Sequence, residues 1–181
     1  VKLLLYSNDI EGRPNANRSL TLIEPEVWQV RIPGDWIGSY YAFEVYRDGK
    51  GSVPVPDIYA KAVGTNGKRG QIIDLEGTNP PEWSQDMAPL DEGPGTRLIY
   101  EMHIRDATIH PAGEAEKPGT FMGLAESPVV LDHIASLGVT HVHLLPFFDF
   151  ASVDESRLNE PQYNWGYDPL NYNVPEGSYS T

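Results

Sequence analysis

The sequence contains no cysteine, which excludes disulfides, thiolate nucleophiles and thiolate metal sites. The compartment stays open between secreted and cytoplasmic, because a disulfide-free chain is compatible with both. Basic residues are scarce. Thirteen Lys and Arg stand against 26 Asp and Glu, for a formal net charge of −13. Phosphate binding needs clustered cations, so nucleic acid and anionic membrane surfaces are poor partners. No apolar run approaches the roughly 20 residues that a membrane span requires. Val1 to Tyr6 is too short for a signal peptide and lacks its cleavage site, and it reads as a strand entered in mid-domain. A Gly-Lys-Ser/Thr phosphate loop and a Gly-x-Ser-x-Gly elbow are also missing.

What is present is an ordinary globular composition, 40% apolar and 22% charged. Residues 1 to about 75 read as short strands between turns. The candidates are Val1 to Tyr6, Ser19 to Ile23, Val27 to Ile32, Tyr40 to Tyr46 and Gln71 to Leu75, with an Asp48-Gly49 turn. Such a series argues for a β-sandwich. Its aromatics Trp28, Trp36, Tyr40, Tyr41 and Tyr46 are either core or a sugar platform, and sandwich cores use aromatics heavily. The stretches Gly77 to Pro81 and Asp91 to Gly95 are loop signals. The expected domains are therefore 1–90, a sandwich module, and 91–181, a unit of different character.

In the second unit Arg97 to Ile104 reads as a strand and Val139 to Pro146 as another. Between them Ser127 to Gly138 reads as a helix. Ser127 suits the N-cap, Pro128 the first helical position and Gly138 the left-handed stop. Strand, helix and strand make a βαβ unit with parallel strands. His141 and His143 lie on one face of a strand, but no third ligand at zinc-like spacing accompanies them. The densest stretch is Tyr163-Asn164-Trp165-Gly166-Tyr167-Asp168-Pro169, continuing through Asn171-Tyr172-Asn173-Val174-Pro175. Flat aromatic faces beside amides and a carboxylate suit a sugar ring, with its apolar faces and hydroxyl edge.

From residue 97 onward the words are similar to those of type I pullulanases, in glycoside hydrolase family 13 of the α-amylase clan. They are Tyr100 to Asp106, Gly123 to Glu126, Leu137 to Val142, Leu144 to Pro146, Phe148 to Phe150 and, most specifically, Tyr163 to Pro169 with Asn171 to Ser180. Trp165, where α-amylases usually carry His, points to the pullulanase branch. In the first half Gly38 to Tyr41, Asp57 to Ala62 and Asn66 to Arg69 resemble the starch-binding-type sandwich that precedes the barrel in that family.

The resemblance implies a β-sandwich followed by the first two β/α units of a (β/α)8 barrel, with the site on loops at the strands' C-terminal ends. It implies hydrolysis of α-1,6-glucosidic bonds in pullulan, amylopectin and limit dextrins by a retaining, two-carboxylate mechanism. Tyr167 would stack on the glucose on the non-reducing side of the scissile bond. Trp165 would line the same pocket. Asp168 would either bond sugar hydroxyls or stabilise the turn before Pro169. The family's catalytic acids sit on barrel strands four, five and seven, so no catalytic residue is expected here, and Glu101, Asp106 and Asp149 do not occupy those positions. The expected partners are α-glucan and a companion chain carrying the rest of the barrel. No cofactor is expected, although the intact enzyme could hold calcium through ligands elsewhere. The competing reading is a non-catalytic α-glucan-binding module with a vestigial barrel segment.

Overall fold

The computed structural model describes residues 1–90, 93, 95 and 97–181. The loop expected over Asp91 to Gly95, with its domain boundary, falls in part on Asp91, Glu92 and Pro94, which lie outside the described residues.

The first half is built on a four-stranded antiparallel sheet. Strand β1 (Lys2–Tyr6) is flanked by β2 (Ala16–Ser19) and β5 (Tyr40–Glu44), and β8 (Gly70–Gln71) pairs with β5. Two hairpins accompany the sheet, β3–β4 (Thr21–Glu24, Val27–Gln29) and β6–β7 (Tyr46–Arg47, Lys50–Gly51). The β6–β7 turn is the Asp48-Gly49 pair read from the sequence, with φ of 52° and 78°. Positive φ at both central residues gives the twist that an antiparallel hairpin needs. Leu4 and Tyr6 point to one face, where they cluster with Ala42. Leu3 and Leu5 point to the other, into an apolar pocket of about 500 Å³ shared with Trp28, Tyr41 and Phe43.

Several strands stop short of the extent expected from sequence. Val27 to Ile32 keeps only Val27–Gln29 before Pro33. Of Gln71 to Leu75 only Gln71 lies in β8, although Ile72 still exchanges backbone bonds with Ser39 and Gly38; the chain then enters a 3₁₀ turn, where Asp74 Oδ1 accepts from Glu76 N at 3.1 Å. Among the described residues the other strands of this half form the two hairpins, and no second multi-stranded sheet is present.

The second half opens with β9 (Ile99–Met102), which pairs in parallel with β10 (His141–Leu144). Strand β9 ends where His103 caps α1 (Ile104–Thr108) by accepting from Asp106 N. The crossover holds two helices more than expected, α1 and α2 (Phe121–Glu126), both short and without a long apolar period. Helix α3 (Pro128–Ser136) follows the sequence reading closely. Ser127 Oγ accepts from Val130 N at 3.2 Å, and Gly138 takes φ +67°. After Leu145, which still donates to Met102 O, Pro146 has no N–H to continue the ladder. An antiparallel pair then forms, β11 (Phe148–Phe150) with β12 (Pro169–Pro175). No closed barrel forms among the described residues. The core of this half is Ile104, Phe150, Val153 and Tyr179, backed by Phe121, Leu124, Leu144 and Phe147. Full burial of an Ile or Phe contributes roughly 1.5–3 kcal/mol each.

The halves meet at a polar seam. Asn66, with φ +58°, lies in a 3₁₀ turn (Thr65–Gly67) beside β8. Its Nδ2 donates to Asp154 Oδ1 at 3.0 Å, its Oδ1 accepts from Glu155 N at 2.8 Å, and its own N–H donates to Glu155 Oε2. Asn173 Nδ2 also donates to Ile58 O at 3.2 Å. No helix among the described residues is long and apolar enough to cross a membrane.

Candidate functional site

The loop between β11 and β12 carries the aromatic turn, and short polar side chains fix its shape. Asn164 Oδ1 accepts from Gly166 N at 2.8 Å, an Asx turn. Asn164 Nδ2 donates to Asp168 Oδ1 at 2.7 Å, and Ser152 Oγ donates to Asp168 Oδ2. Gly166 adopts φ +85° and is buried against Pro146, where an added Cβ would stand 2.6 Å from the Pro146 carbonyl oxygen. Glycine is therefore required twice over, for conformation and for space.

This scaffold displays the rings. Tyr167 is 66% exposed and Tyr172 65%. Both line an open groove of about 690 Å³ together with Val142, Leu144, Phe148 and Gly166. Phe148 packs near Tyr172, with ring centroids 6.2 Å apart. Trp165 is also exposed but lies outside the groove lining, so of the three site residues expected from sequence only Tyr167 reaches it directly. Asp168 is engaged within its own loop. The Ser152 hydroxyl, and then the Asn164 amide, hold its carboxyl below the ordinary range. Both of its oxygens already serve the turn.

Behind the groove lies a cluster that sequence reasoning did not assemble. Carboxylate oxygens of Asp149, Glu155 and Glu176 lie within 4.8 Å of one another. Asp149 and Glu176 are fully buried. Asp149 Oδ2 accepts from Asn171 Nδ2 at 2.6 Å, and Glu176 accepts from Phe150 N at 3.0 Å and Ser178 N at 2.9 Å. Burial is the main cause that pushes all three carboxyls above their ordinary range. Such a group can share protons among its oxygens, or it can ligate a hard cation such as calcium. Its members are spread from residue 149 to residue 176, and no spacing rule links them. The one sequence-level hint is that Glu176 precedes Gly177 and caps the turn that follows.

The histidine pair on β10 divides its contacts. His141 Nδ1 lies 2.8 Å from Thr140 Oγ1, and His143 Nδ1 lies 3.2 Å from Glu101. Both histidines are exposed. Of the sandwich aromatics, Trp28 and Tyr46 are exposed, whereas Tyr41 is partly buried and donates from its hydroxyl to Asp57 Oδ2 at 3.0 Å.

No known family model matches the chain. The pullulanase of Bacillus subtilis strain 168 is 36% identical over 170 residues, spanning 90% of this chain and 23% of that protein. The chloroplastic isoamylase SU1 of Zea mays is 31% identical, over 86% of this chain and 22% of that protein. A crystal structure of the pullulanase of Paenibacillus barengoltzii, complexed with maltohexaose and α-cyclodextrin, superposes with a TM-score of 0.94 at 44% identity. That match covers 99% of this chain and 29% of the crystallised one. The chain thus spans about a quarter of the length of the relatives it matches. With a sequence match that spans 90% of the chain and a backbone match that spans 99%, the chain belongs to the type I pullulanases, as the counterpart of a segment of those longer proteins.

Proposed function

We propose that this chain is the part of a starch-debranching glycoside hydrolase that presents a glucose-binding wall to the active site. In this reading residues 1–90 are a starch-binding-type sandwich module, and 91–181 supply the first two β/α units of a (β/α)8 barrel. The observation that carries the proposal is the Tyr167–Tyr172 wall of the groove. Two exposed rings are held rigidly at the C-terminal end of β10, the end at which barrel enzymes place their sites.

Tyr167 stacks on a glucose ring of the α-glucan. Trp165 extends the apolar surface beside it. Asp168 acts chiefly by holding the turn, because Ser152 and Asn164 already occupy its oxygens. The maltohexaose and α-cyclodextrin in the Paenibacillus barengoltzii complex make α-glucan the reasonable ligand class. Cleavage of α-1,6 linkages with retention needs a nucleophilic carboxylate and an acid/base carboxyl about 5–5.5 Å apart across the scissile bond. Asp149, Glu155 and Glu176 do not serve, since two of them are fully buried. Since the pullulanase resemblance places the catalytic acids on barrel strands four, five and seven, this reading assigns the cleaving carboxylates to polypeptide other than residues 1–181, whether in the same chain or in a companion.

The test pairs two samples. The longer protein carrying this segment should release maltotriose from pullulan with the α-configuration retained, read by NMR of the fresh product. Residues 1–181 alone should bind maltotriose and release nothing. Hydrolysis by residues 1–181 alone would overturn the division of labour, and an unchanged maltotriose affinity in Y167A would overturn the binding wall.

A further inference from the structure

His103 is 5% exposed and lies between the rings of Tyr163 and Tyr179, with centroids 5.7 and 5.6 Å away. Its two nitrogens serve different elements. Nδ1 accepts from Asp106 N at 3.3 Å and caps α1. A ring nitrogen that accepts carries no proton, so the neutral imidazole bears its proton on Nε2. Nε2 lies 3.1 Å from the Asn164 carbonyl oxygen and 3.0 Å from Tyr179 Oη. A carbonyl can only accept, so Nε2–H donates to Asn164 and shares a three-centre bond with the Tyr179 oxygen. Asn164 is the hub of the aromatic turn, bonded through its amide to Gly166 and Asp168 on either side of Tyr167. A continuous chain of hydrogen bonds thus runs from the end of β9 to the backbone that holds the exposed ring.

We infer that His103 is a positioning residue for sugar binding. By donating from Nε2 to the Asn164 carbonyl, it sets the placement of the Tyr163–Asp168 turn and hence of Tyr167 over the groove. This rests on the α-glucan reading proposed above. His103 touches no sugar itself and acts only through Asn164. The Asp106 carboxylate lies 3.7 Å from Nδ1.

The two roles of the ring can be separated. A glutamine amide reaches where Nε2 sits and can restore the bond to Asn164. An asparagine amide reaches where Nδ1 sits and can restore only the helix cap. Maltotriose affinity of the native protein is measured by calorimetry for wild type, H103Q, H103N and, as a reference, Y167A. H103N should bind roughly tenfold more weakly while H103Q stays within about threefold of wild type, the fold-change expected for one buried hydrogen bond. A purely structural capping role gives the reverse order, and either that order or wild-type affinity in both variants overturns the inference. A wild-type affinity in Y167A overturns the sugar-binding reading and this inference with it. A loss in Y167A without one in H103N overturns this inference alone. Should both histidine variants fail to fold, ¹H–¹⁵N spectra of the unsubstituted protein decide. An Nε2–H tautomer whose signal moves on adding maltotriose supports the role, and an Nδ1–H tautomer or an unmoved signal refutes it.

Discussion

Replacing Asn66 with alanine probes what holds the two halves of the molecule together. The side chain accepts from Glu155 N at 2.8 Å across the seam, and removing one such bond costs about 0.5–1.5 kcal/mol. Asn66 also sits at φ +58°, where a residue with an ordinary Cβ is disfavoured by roughly 1–2 kcal/mol and Asn is among the few that visit readily. Its partly buried bond to Asp154 adds to this and is left out of the sum, which is therefore a lower bound. The expected loss is then about 2 kcal/mol, or about 4–8 °C in melting temperature for a chain of this size. N66G keeps the backbone conformation and loses only the side-chain bonds, so it should fall about halfway between wild type and N66A. N66D keeps the conformation but sets a carboxylate against Asp154, so its deficit should grow as pH rises above about 4. Urea unfolding followed by tryptophan fluorescence measures all three. An N66A midpoint indistinguishable from wild type would show that the seam is not held there, and N66G equal to N66A would show that the backbone argument fails.

Other consequences are open to measurement. Asp149, Glu155 and Glu176 have carboxyls raised by burial, so the fold favours their protonated forms. The stability they contribute is fully present below about pH 4 and is lost as pH rises through the raised values. D149N should accordingly flatten the decline in unfolding free energy as pH rises above about 4, and parallel wild-type and mutant slopes would refute the shared-charge account. S127A removes the N-cap of α3 and the 2.7 Å bond to Gly113 O, and should lower stability by about 1–2 kcal/mol in urea titration. G166A must place a methyl against Pro146 at positive φ. It should cost roughly 2 kcal/mol or more and weaken maltotriose binding, because the turn shifts as a unit.

Legibility in the sequence followed how local each feature is. Helix α3 could be read almost to the residue because Ser127, Pro128 and Gly138 punctuate it in the chain itself. The Asp48-Gly49 hairpin and the parallel partnership of β9 and β10 were equally plain. Short helices α1 and α2 escaped, since five and six residues hold too little periodicity to register. Strand ends were overextended at Leu75 and Ile104 because just beyond each a side chain accepts from a backbone N–H and starts a helical turn, Asp74 from Glu76 and His103 from Asp106, which apolar alternation does not reveal. At the site, Tyr167 was recognisable as a ring in a turn, whereas the engagement of Asp168 depends on Ser152, sixteen residues away. The carboxylate cluster gathers residues from a strand, a 3₁₀ turn and a cap, a conjunction that only the folded chain brings about.

The seam at Asn66 also separates two kinds of continuity. Residues 74–90, leading out of the first half, are exposed throughout, Met87 at 84% and Leu90 at 95%. The grip between the halves lies elsewhere, in the bonds from Asn66 to Asp154 and Glu155 and from Asn173 to Ile58. A protease that severs the chain near Met87 therefore divides the polypeptide without dividing the particle. Denaturing gels would show two bands, while sedimentation at high concentration would still show one species. The tether contributes its local concentration and little else, so after the cut the same contacts become bimolecular and are released by dilution.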